Sequence, residues 1–240
     1  MLDTITIFDD EALKAKSHRV TNIKQAVRNQ NRVNIYVDDK FFCSLDISQV
    51  VDFHLKIGKE ISEEEKTQLK HASDFGKFYA RALEYALIRP RSSREIQDYL
   101  KKKTLSHKIR VKNRKTGEYQ TKEKPGYDTS LVPLVFRRLE ERGYVDDGRF
   151  AKIWVENRNA SKGTSIKKLR LELQQKGISH QIINQVLDES ERNDESELKK
   201  IIAKKRNKYS DEQKFIQYLL RAGFNYSDIL DALSELSSGA

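Results

Sequence analysis

The most constraining feature of this sequence is an internal repeat near its C-terminus. Residues 165–189 align with residues 211–235 at an offset of 46 without a gap, and their apolar positions coincide. In both segments an apolar stripe at helical spacing ends at a glycine, Gly177 or Gly223, and a second stripe follows. The pattern predicts a helix pair that occurs twice, and units of this kind contact mainly their neighbours along the chain.

A further helical stretch precedes each pair, at 147–159 and at 195–205, so that each unit is predicted to hold three helices. A first copy is predicted at 78–88, 92–103 and 129–142. The sequence therefore predicts a mainly α protein in which three tandem three-helix repeats form an elongated curved array.

Residues 104–127 separate the second and third helices of the first copy, where the other units have only a glycine turn. The segments 107–112 and 118–122 have the composition of short strands around Gly117, and Pro125 ends the second. We expect a β-hairpin inserted in the first repeat.

The N-terminal part has a different pattern. Apolar and polar side chains alternate at 33–37, a turn sequence follows, and 41–45 is predicted to complete a hairpin with a third strand near 20–28. Ser62 and Glu65 have the spacing of a capping box, which predicts a helix start. The predicted organisation is a β-containing module with a linking helix at 1–72, followed by repeats at 73–145, 146–192 and 193–240.

Positive charge is concentrated in the inserted hairpin. The chain carries 46 basic and 36 acidic side chains, a net charge of +10, and residues 101–124 hold ten bases against two acids. Such a cluster predicts contact with nucleic acid or with an acidic partner, although a solvated lysine-rich loop is the simpler alternative. Tyr119 and Tyr127 could stack on bases or could pack on their own strands. The ten bases are Lys101, Lys102, Lys103, Lys108, Arg110, Lys112, Arg114, Lys115, Lys122 and Lys124.

Other classes of protein lack their sequence signals here. A single cysteine, Cys43, offers no disulfide framework, and the five histidines are too dispersed for a local zinc site. There is no phosphate-binding loop, no activated nucleophile motif, no secretory signal and no apolar run of the roughly 20 residues that a membrane helix needs. We expect a cytoplasmic protein that is not an enzyme and that uses no cofactor, metal or membrane.

Four stretches of the sequence resemble the RecX family, the regulators of the RecA recombinase. They lie at 82–96, at 139–151 and at the glycine turns of the two helix pairs, and the likeness extends over roughly residues 75–236. The matching positions are Arg89, Ser92, Glu95, Gly143, Asp146, Asp147, Arg149, Phe150, Gly177 and Gly223.

The resemblance implies a non-enzymatic protein that binds in the groove of a RecA filament on DNA and mostly inhibits its recombinase and ATPase activity. It also implies a role in homologous recombination, DNA repair and the SOS response. We expect a monomer with weak, non-specific affinity for single- or double-stranded DNA. Besides the hairpin, the predicted contact residues are Arg137, Arg138, Arg158 and Lys162.

Two alternatives of function remain open. Helices flanking a basic hairpin are superficially similar to a winged-helix transcription regulator that reads specific duplex sequences, although the wing normally follows the third helix. The second alternative is an adaptor protein that makes no contact with nucleic acid. Among single residues, Asp146 and Asp147 are interpreted as a helix start in preference to a metal site, and Trp154 as a core residue in preference to an exposed anchor.

Overall fold

The computed structural model describes residues 17–27, 29–113 and 116–238, with side chains up to residue 235. Over these ranges the chain is mainly helical, as predicted, and it contains ten α-helices and six β-strands. The chain divides into two compact units, Met1–Arg81 and Ala82–Ala240. None of the helices in these ranges is long and apolar enough to cross a lipid bilayer.

The first unit contains a four-stranded antiparallel sheet and a short helix. Its elements are β1 (His18–Ala26), β2 (Asn29–Val37), β3 (Lys40–Asp46), α1 (Ile47–Asp52) and β4 (Glu60–Ile61). The strand order is β3-β2-β1-β4, so β4 closes one edge. Since β4 is only two residues long, the alternation pattern of the sequence did not indicate it.

The predicted hairpin at 33–37 and 41–45 is confirmed, with Val33 opposite Leu45 and Val37 opposite Lys40. Asp38 and Asp39 form its turn at φ 50° and 62°, which is the left-handed geometry of a tight two-residue hairpin loop. Alternation then places one side of the sheet in the core, where Val20, Ile35, Cys43 and Leu45 are at most 3% exposed.

Helix α2 (Glu63–Leu87) follows the sheet and is continuous over 25 residues. It begins at the predicted capping box, in which Glu65 N–H donates to Ser62 Oγ (3.2 Å) and Ser62 N–H donates to Glu65 Oε2 (3.0 Å). The helix predicted at 78–88 is therefore the second half of a longer one. The repeat boundaries predicted at 72/73, 145/146 and 192/193 stay predictions.

The second unit continues with α3 (Ser93–Thr104), β5 (His107–Lys112), β6 (Tyr119–Lys124) and α4 (Leu131–Glu141). Strands β5 and β6 pair antiparallel in the predicted hairpin. Helices α3 and α4 pack against each other across this insertion.

Six helices complete the second unit and enclose two cores. Helices α5 (Asp147–Asn157), α6 (Ile166–Gln175) and α7 (His180–Asp188) surround a core that includes Phe150 and Leu169. Apolar side chains at helical spacing on all three helices supply this core.

The last three helices repeat this arrangement. Helices α8 (Asp194–Lys205), α9 (Glu212–Arg221) and α10 (Tyr226–Ser238) enclose a second core around Phe215 and Leu219. Phe215 occupies the position aligned with Leu169, and both are fully buried. The apolar repeat in the sequence therefore corresponds to two equivalent buried cores.

Candidate nucleic-acid interface

The last turn of α3 carries three consecutive lysines at the base of the inserted hairpin. Lys101 and Lys102 are exposed, while Lys103 is half-buried with its Nζ 5.2 Å from the centre of the Tyr99 ring. Cations are favourable at this end of a helix because the terminal carbonyl groups carry partial negative charge. The position therefore also gives these lysines a local structural role.

The hairpin itself presents most of its charge to solvent. The side chains of Lys108, Arg110, Lys112, Lys122 and Lys124 are exposed, and within the described residues none of them forms an ion pair with a carboxylate. Positive groups without a carboxylate partner remain available to an external anion. Arg114 and Lys115, also predicted as contacts, lie outside the described residues.

A close chain crossing holds the hairpin at its base. Tyr127 N–H donates to the Lys103 carbonyl (3.0 Å). At Gly126 the backbone runs so close to α3 that a Cβ atom would overlap the Thr104 carbonyl group and lie 2.8 Å from Leu105 N. Only glycine fits this approach without movement of the backbone, so the neck fixes where the hairpin leaves the helices.

The other predicted contact residues are placed on separate elements. Arg137 and Arg138 are exposed on α4 and both lie near Glu141, at 3.8 and 3.5 Å. Lys162 is exposed in the turn after α5. Arg158 differs, because its guanidinium group donates two hydrogen bonds to the Glu172 carboxylate (2.8 and 3.0 Å).

Trp154 is tied into the same ion pair. Its indole N–H donates to Glu172 (3.2 Å), and the Arg158 guanidinium carbon lies 5.1 Å from the ring centre. The side chain is half-buried against the core of α5, α6 and α7. It therefore packs at the edge of that core, and the sequence prediction of a core residue holds only in part.

The motif around α3 forms a network of charged groups. Ser92 caps the helix by accepting from Glu95 N–H (3.2 Å). The Glu95 carboxylate receives two hydrogen bonds from Arg89 (2.9 and 3.1 Å) and one from Lys176 (2.8 Å), which lies beyond the end of α6. Burial raises the pKa of Glu95, but hydrogen bonds from Arg89 and Lys176 outweigh this effect and place it at about 2.

The network is part of a junction between α3 and the helices that follow in the sequence. Ser92 Oγ donates to the Lys176 carbonyl (2.8 Å), and Ser93 N–H donates to Asp147 Oδ1 (2.8 Å). Gly177 has φ +81°, and a Cβ there would lie 2.8 Å from the Arg94 side chain.

The same junction occurs a second time. Ser165 Oγ donates to the Ala222 carbonyl and Ile166 N–H donates to Asp194 Oδ1, both at 2.7 Å. Gly223 has φ +98° and lies against Ser165. In each case the capping serine of one helix donates its hydroxyl to a carbonyl in the glycine turn of a later cluster. The next backbone N–H of the same helix donates to an aspartate at the start of that cluster's first helix.

The remaining motif residues have structural positions. Asp146 caps α5 by accepting from Arg149 N–H (2.9 Å), whereas Asp147 accepts from α3, as described above. Phe150 is 3% exposed in the core, and Gly143 has φ +70° after α4. The pair of aspartates therefore serves two different helix starts.

Sequence reasoning missed one buried ion pair. The Glu197 side chain is fully buried, and Arg192 binds it at 3.1 and 2.5 Å while donating to the carbonyls of Val155 (2.6 Å) and Arg158 (2.8 Å). Burial raises the pKa of Glu197, but the hydrogen bonds from Arg192, Lys200 and Thr164 N–H together outweigh this effect, so the net change is downward. Acidic and basic residues alternate in the polar segment around Arg192, and this pattern did not indicate that one of the pairs would be buried.

Within the described ranges, no group of three or more His, Cys, Asp or Glu side chains is arranged to hold a metal ion. The features gathered in one region are the lysines at the end of α3 and the exposed bases of the hairpin. Such an arrangement can attract phosphate groups or carboxylates, and its strength would fall with added salt.

Comparisons with known proteins agree with the sequence motifs. The model of the regulatory protein RecX N-terminal domain matches residues 18–62, and that of the RecX second three-helix domain matches residues 146–187. A crystal structure of a regulatory protein RecX superposes with a TM-score of 0.67, covering 89% of this chain and 99% of that one. At 22% sequence identity this similarity concerns the fold.

Two relatives extend the match to most of the chain. The regulatory protein RecX of Bacillus velezensis is 28% identical over 258 residues, covering 90% of this chain and 98% of its own. The regulatory protein RecX of Bacillus licheniformis is 30% identical over 223 residues, covering 90% of this chain and 76% of its own. On this similarity, the chain belongs to the RecX family of regulatory proteins.

Proposed function

We propose that this chain regulates the RecA recombinase by binding its filament on DNA, and that it mostly inhibits strand exchange and ATP hydrolysis. Its place in a family of regulatory proteins supports a regulatory role. The processes concerned would be homologous recombination and DNA repair, including the SOS response, in the cytoplasm. The chain would act as a monomer, without catalysis of its own.

The observation that carries this proposal is the basic hairpin. Among the described residues, five exposed bases of the hairpin form no ion pair with a carboxylate. A filament on DNA presents phosphates along a groove, and a concentrated positive element increases the rate of encounter with such a surface. Contact with DNA itself would be weak and non-specific.

The helical clusters would supply the protein-binding surface. Two equivalent junctions, at Ser92 and at Ser165, support the interpretation of the helices as tandem three-helix repeats. Units joined in this manner present neighbouring surfaces in a fixed succession, which suits a partner that is itself a repeating assembly.

The test uses purified RecA, single-stranded DNA and ATP. Increasing amounts of the protein should reduce ATP hydrolysis and strand exchange, and unchanged rates at several-fold excess would contradict the proposal. Charge reversal at Lys40, Lys56 and Lys70 is the matched control, since these three exposed cations lie in the first unit, outside both the hairpin and the helical clusters. This variant should inhibit as the parent does.

An adaptor without DNA contact predicts a different result. Charge reversal at Lys112, Arg114 and Lys115 would leave its activity intact, whereas we expect this change to weaken inhibition by at least about tenfold.

The winged-helix alternative receives less support from the fold. The hairpin lies between α3 and α4 and so precedes the helix that a wing would normally follow. A sequence-dependent footprint on duplex DNA without recombinase would favour this alternative.

A further inference from the structure

The two sides of the inserted hairpin carry different side chains. In an antiparallel ladder, directly opposed residues share a side and successive residues alternate between sides. The observed pairs therefore define a tyrosine face, formed by Lys108, Arg110, Lys112, Tyr119, Thr121 and Glu123. The opposite isoleucine face is formed by His107, Ile109, Val111, Gln120, Lys122 and Lys124.

Three cations form a row on the tyrosine face. Lys108, Arg110 and Lys112 occupy alternate positions of β5, which places their Cα atoms about 6.8 Å apart in succession. All three are exposed. Glu123, the acid on this face, accepts a hydrogen bond from Ser106 (2.6 Å). A straight, regularly spaced row of cations fits an extended polyanion better than a compact anion.

An aromatic ring lies at the end of this row. Tyr119 is 61% exposed, with the Arg110 guanidinium carbon 5.1 Å and the Lys112 Nζ 6.0 Å from its ring centre. An exposed ring beside cations is the arrangement with which proteins bind single strands, because bases stack on the ring while cations hold the phosphates. In a duplex the bases are already stacked on each other, so the ring would reach a base only by unstacking a step, at a cost of about a few kcal/mol.

The isoleucine face is less suited to this role. Its centre is apolar, with Ile109 half-buried and Val111 37% exposed, and its two lysines both lie on β6. It offers two cations and the imidazole of His107, and it has no tyrosine. The two faces therefore differ in chemistry although they belong to one small ladder.

We propose that the tyrosine face is a binding site for single-stranded nucleic acid, in which Lys108, Arg110 and Lys112 bind successive phosphates and Tyr119 stacks on a base. The inference deepens the proposed function and rests on it, since it assigns the hairpin to the nucleic-acid component of the filament. It goes further in naming one side of the hairpin and a stacking residue.

The test compares two variants of the full chain that lose the same charge. Lys108→Gln/Lys112→Gln alters the tyrosine face, and Lys122→Gln/Lys124→Gln alters the isoleucine face. Binding of a fluorescent 20-nucleotide oligothymidylate is followed by anisotropy at several salt concentrations, without recombinase.

The tyrosine-face pair should weaken binding about 25-fold at 0.1 M salt and reduce the slope of log K against log salt by about 1.4, as expected for two lost phosphate contacts. The isoleucine-face pair should weaken binding less than about threefold. Tyr119→Leu should weaken binding about tenfold with an unchanged slope, because it removes stacking and no charge. All these positions are exposed, so emission from Trp154 should be the same in every variant.

Equal losses from the two lysine pairs would overturn the inference, because they would indicate non-specific attraction to the whole hairpin. Preference of the parent protein for a 20-base-pair duplex, or an effect of Tyr119→Leu only on binding to recombinase protein without DNA, would overturn it as well. Face-dependent binding by a protein that leaves RecA activity unchanged would support the inference and contradict the proposed function. Inhibition of RecA by a protein that does not bind oligothymidylate would support the proposed function and contradict the inference.

Discussion

Replacement of Glu95 by glutamine should destabilise the second unit in a pH-dependent manner. The carboxylate is 16% exposed and receives hydrogen bonds from Arg89 and from Lys176, so it joins α3 to the end of α6. Its pKa of about 2, against an ordinary value of 4.5, corresponds to about 3.4 kcal/mol of stability at neutral pH, at about 1.36 kcal/mol per pKa unit. Lys176 and Arg89 are partly exposed and can be hydrated after the change, so we expect a loss of about 2 kcal/mol.

The sign of the pH dependence follows from the lowered pKa. Because the folded-state pKa lies below the unfolded-state value, the contribution is complete above about pH 4.5 and is lost as the pH falls through about 2. At pH 3 only about 1.4 kcal/mol of the maximum of about 3.4 kcal/mol would remain. The stability difference between the parent and E95Q should therefore shrink by at least half between pH 7 and pH 3.

The chain has a single tryptophan, and it is well placed to report on this change. Trp154 lies with its ring centre 5.4 Å from Lys176 Nζ, so urea unfolding followed by its emission monitors the affected helices. Glu141→Gln is the control, because this carboxylate is half-exposed and its partner Arg138 lies 3.5 Å away; it should change stability by less than about 0.5 kcal/mol. A difference for E95Q that is equally large at pH 7 and pH 3 would refute the electrostatic reasoning.

Three further predictions concern two half-buried glycines and the buried cysteine. Gly163→Ala should lower the free energy of unfolding by at least about 2 kcal/mol in a urea titration, because φ is +83° and the new Cβ would overlap the Glu197 carbonyl oxygen. Full stability of this variant would contradict the assigned backbone geometry. Gly126→Ala should cost about 1–3 kcal/mol and change hydrogen exchange at Tyr127 N–H, whereas Gly58→Ala, where no atom is within 4 Å, should show only the strain of its φ of +88°. Burial raises the pKa of the Cys43 thiol to about 11, so a thiol reagent at pH 8 should react about 100-fold more slowly with the native protein than with the urea-unfolded chain; similar rates would show that the thiol is accessible.

Local sequence signals anticipated much of the fold. The capping box at Ser62, the turn between the strands at 33–37 and 41–45, and the paired strands around Gly117 are each determined by a few adjacent residues, and all are present. These features could be predicted because short-range hydrogen bonds and turn geometry do not depend on the rest of the chain.

Contacts between residues far apart in the chain could not be predicted from local sequence patterns. Asp147 accepts a hydrogen bond from Ser93 N–H, which lies 54 positions earlier in the chain. Asp146 caps its own helix and Asp147 caps another one, but the two aspartates are adjacent and the sequence does not show which does which. Likewise, the sequence around Arg158 does not distinguish it from an unpaired surface cation. Only the fold shows that it forms an ion pair with Glu172. For the basic hairpin, sequence identified the charges, whereas the strand register was needed to divide them between two faces.

The two serine junctions give the helical unit a direction. The hydroxyl of Ser92 and the N–H of Ser93 find their acceptors only in residues that leave the ribosome later, and Ser165 and Ile166 in turn depend on the C-terminal cluster. Ser92, Ser165 and Asp211 each also cap their own helix by accepting from its backbone N–H groups. Each cluster is thus completed by the one synthesised after it, and a message that ends before residue 193 would release a second cluster in which the Ser165 hydroxyl and Ile166 N–H lack these acceptors.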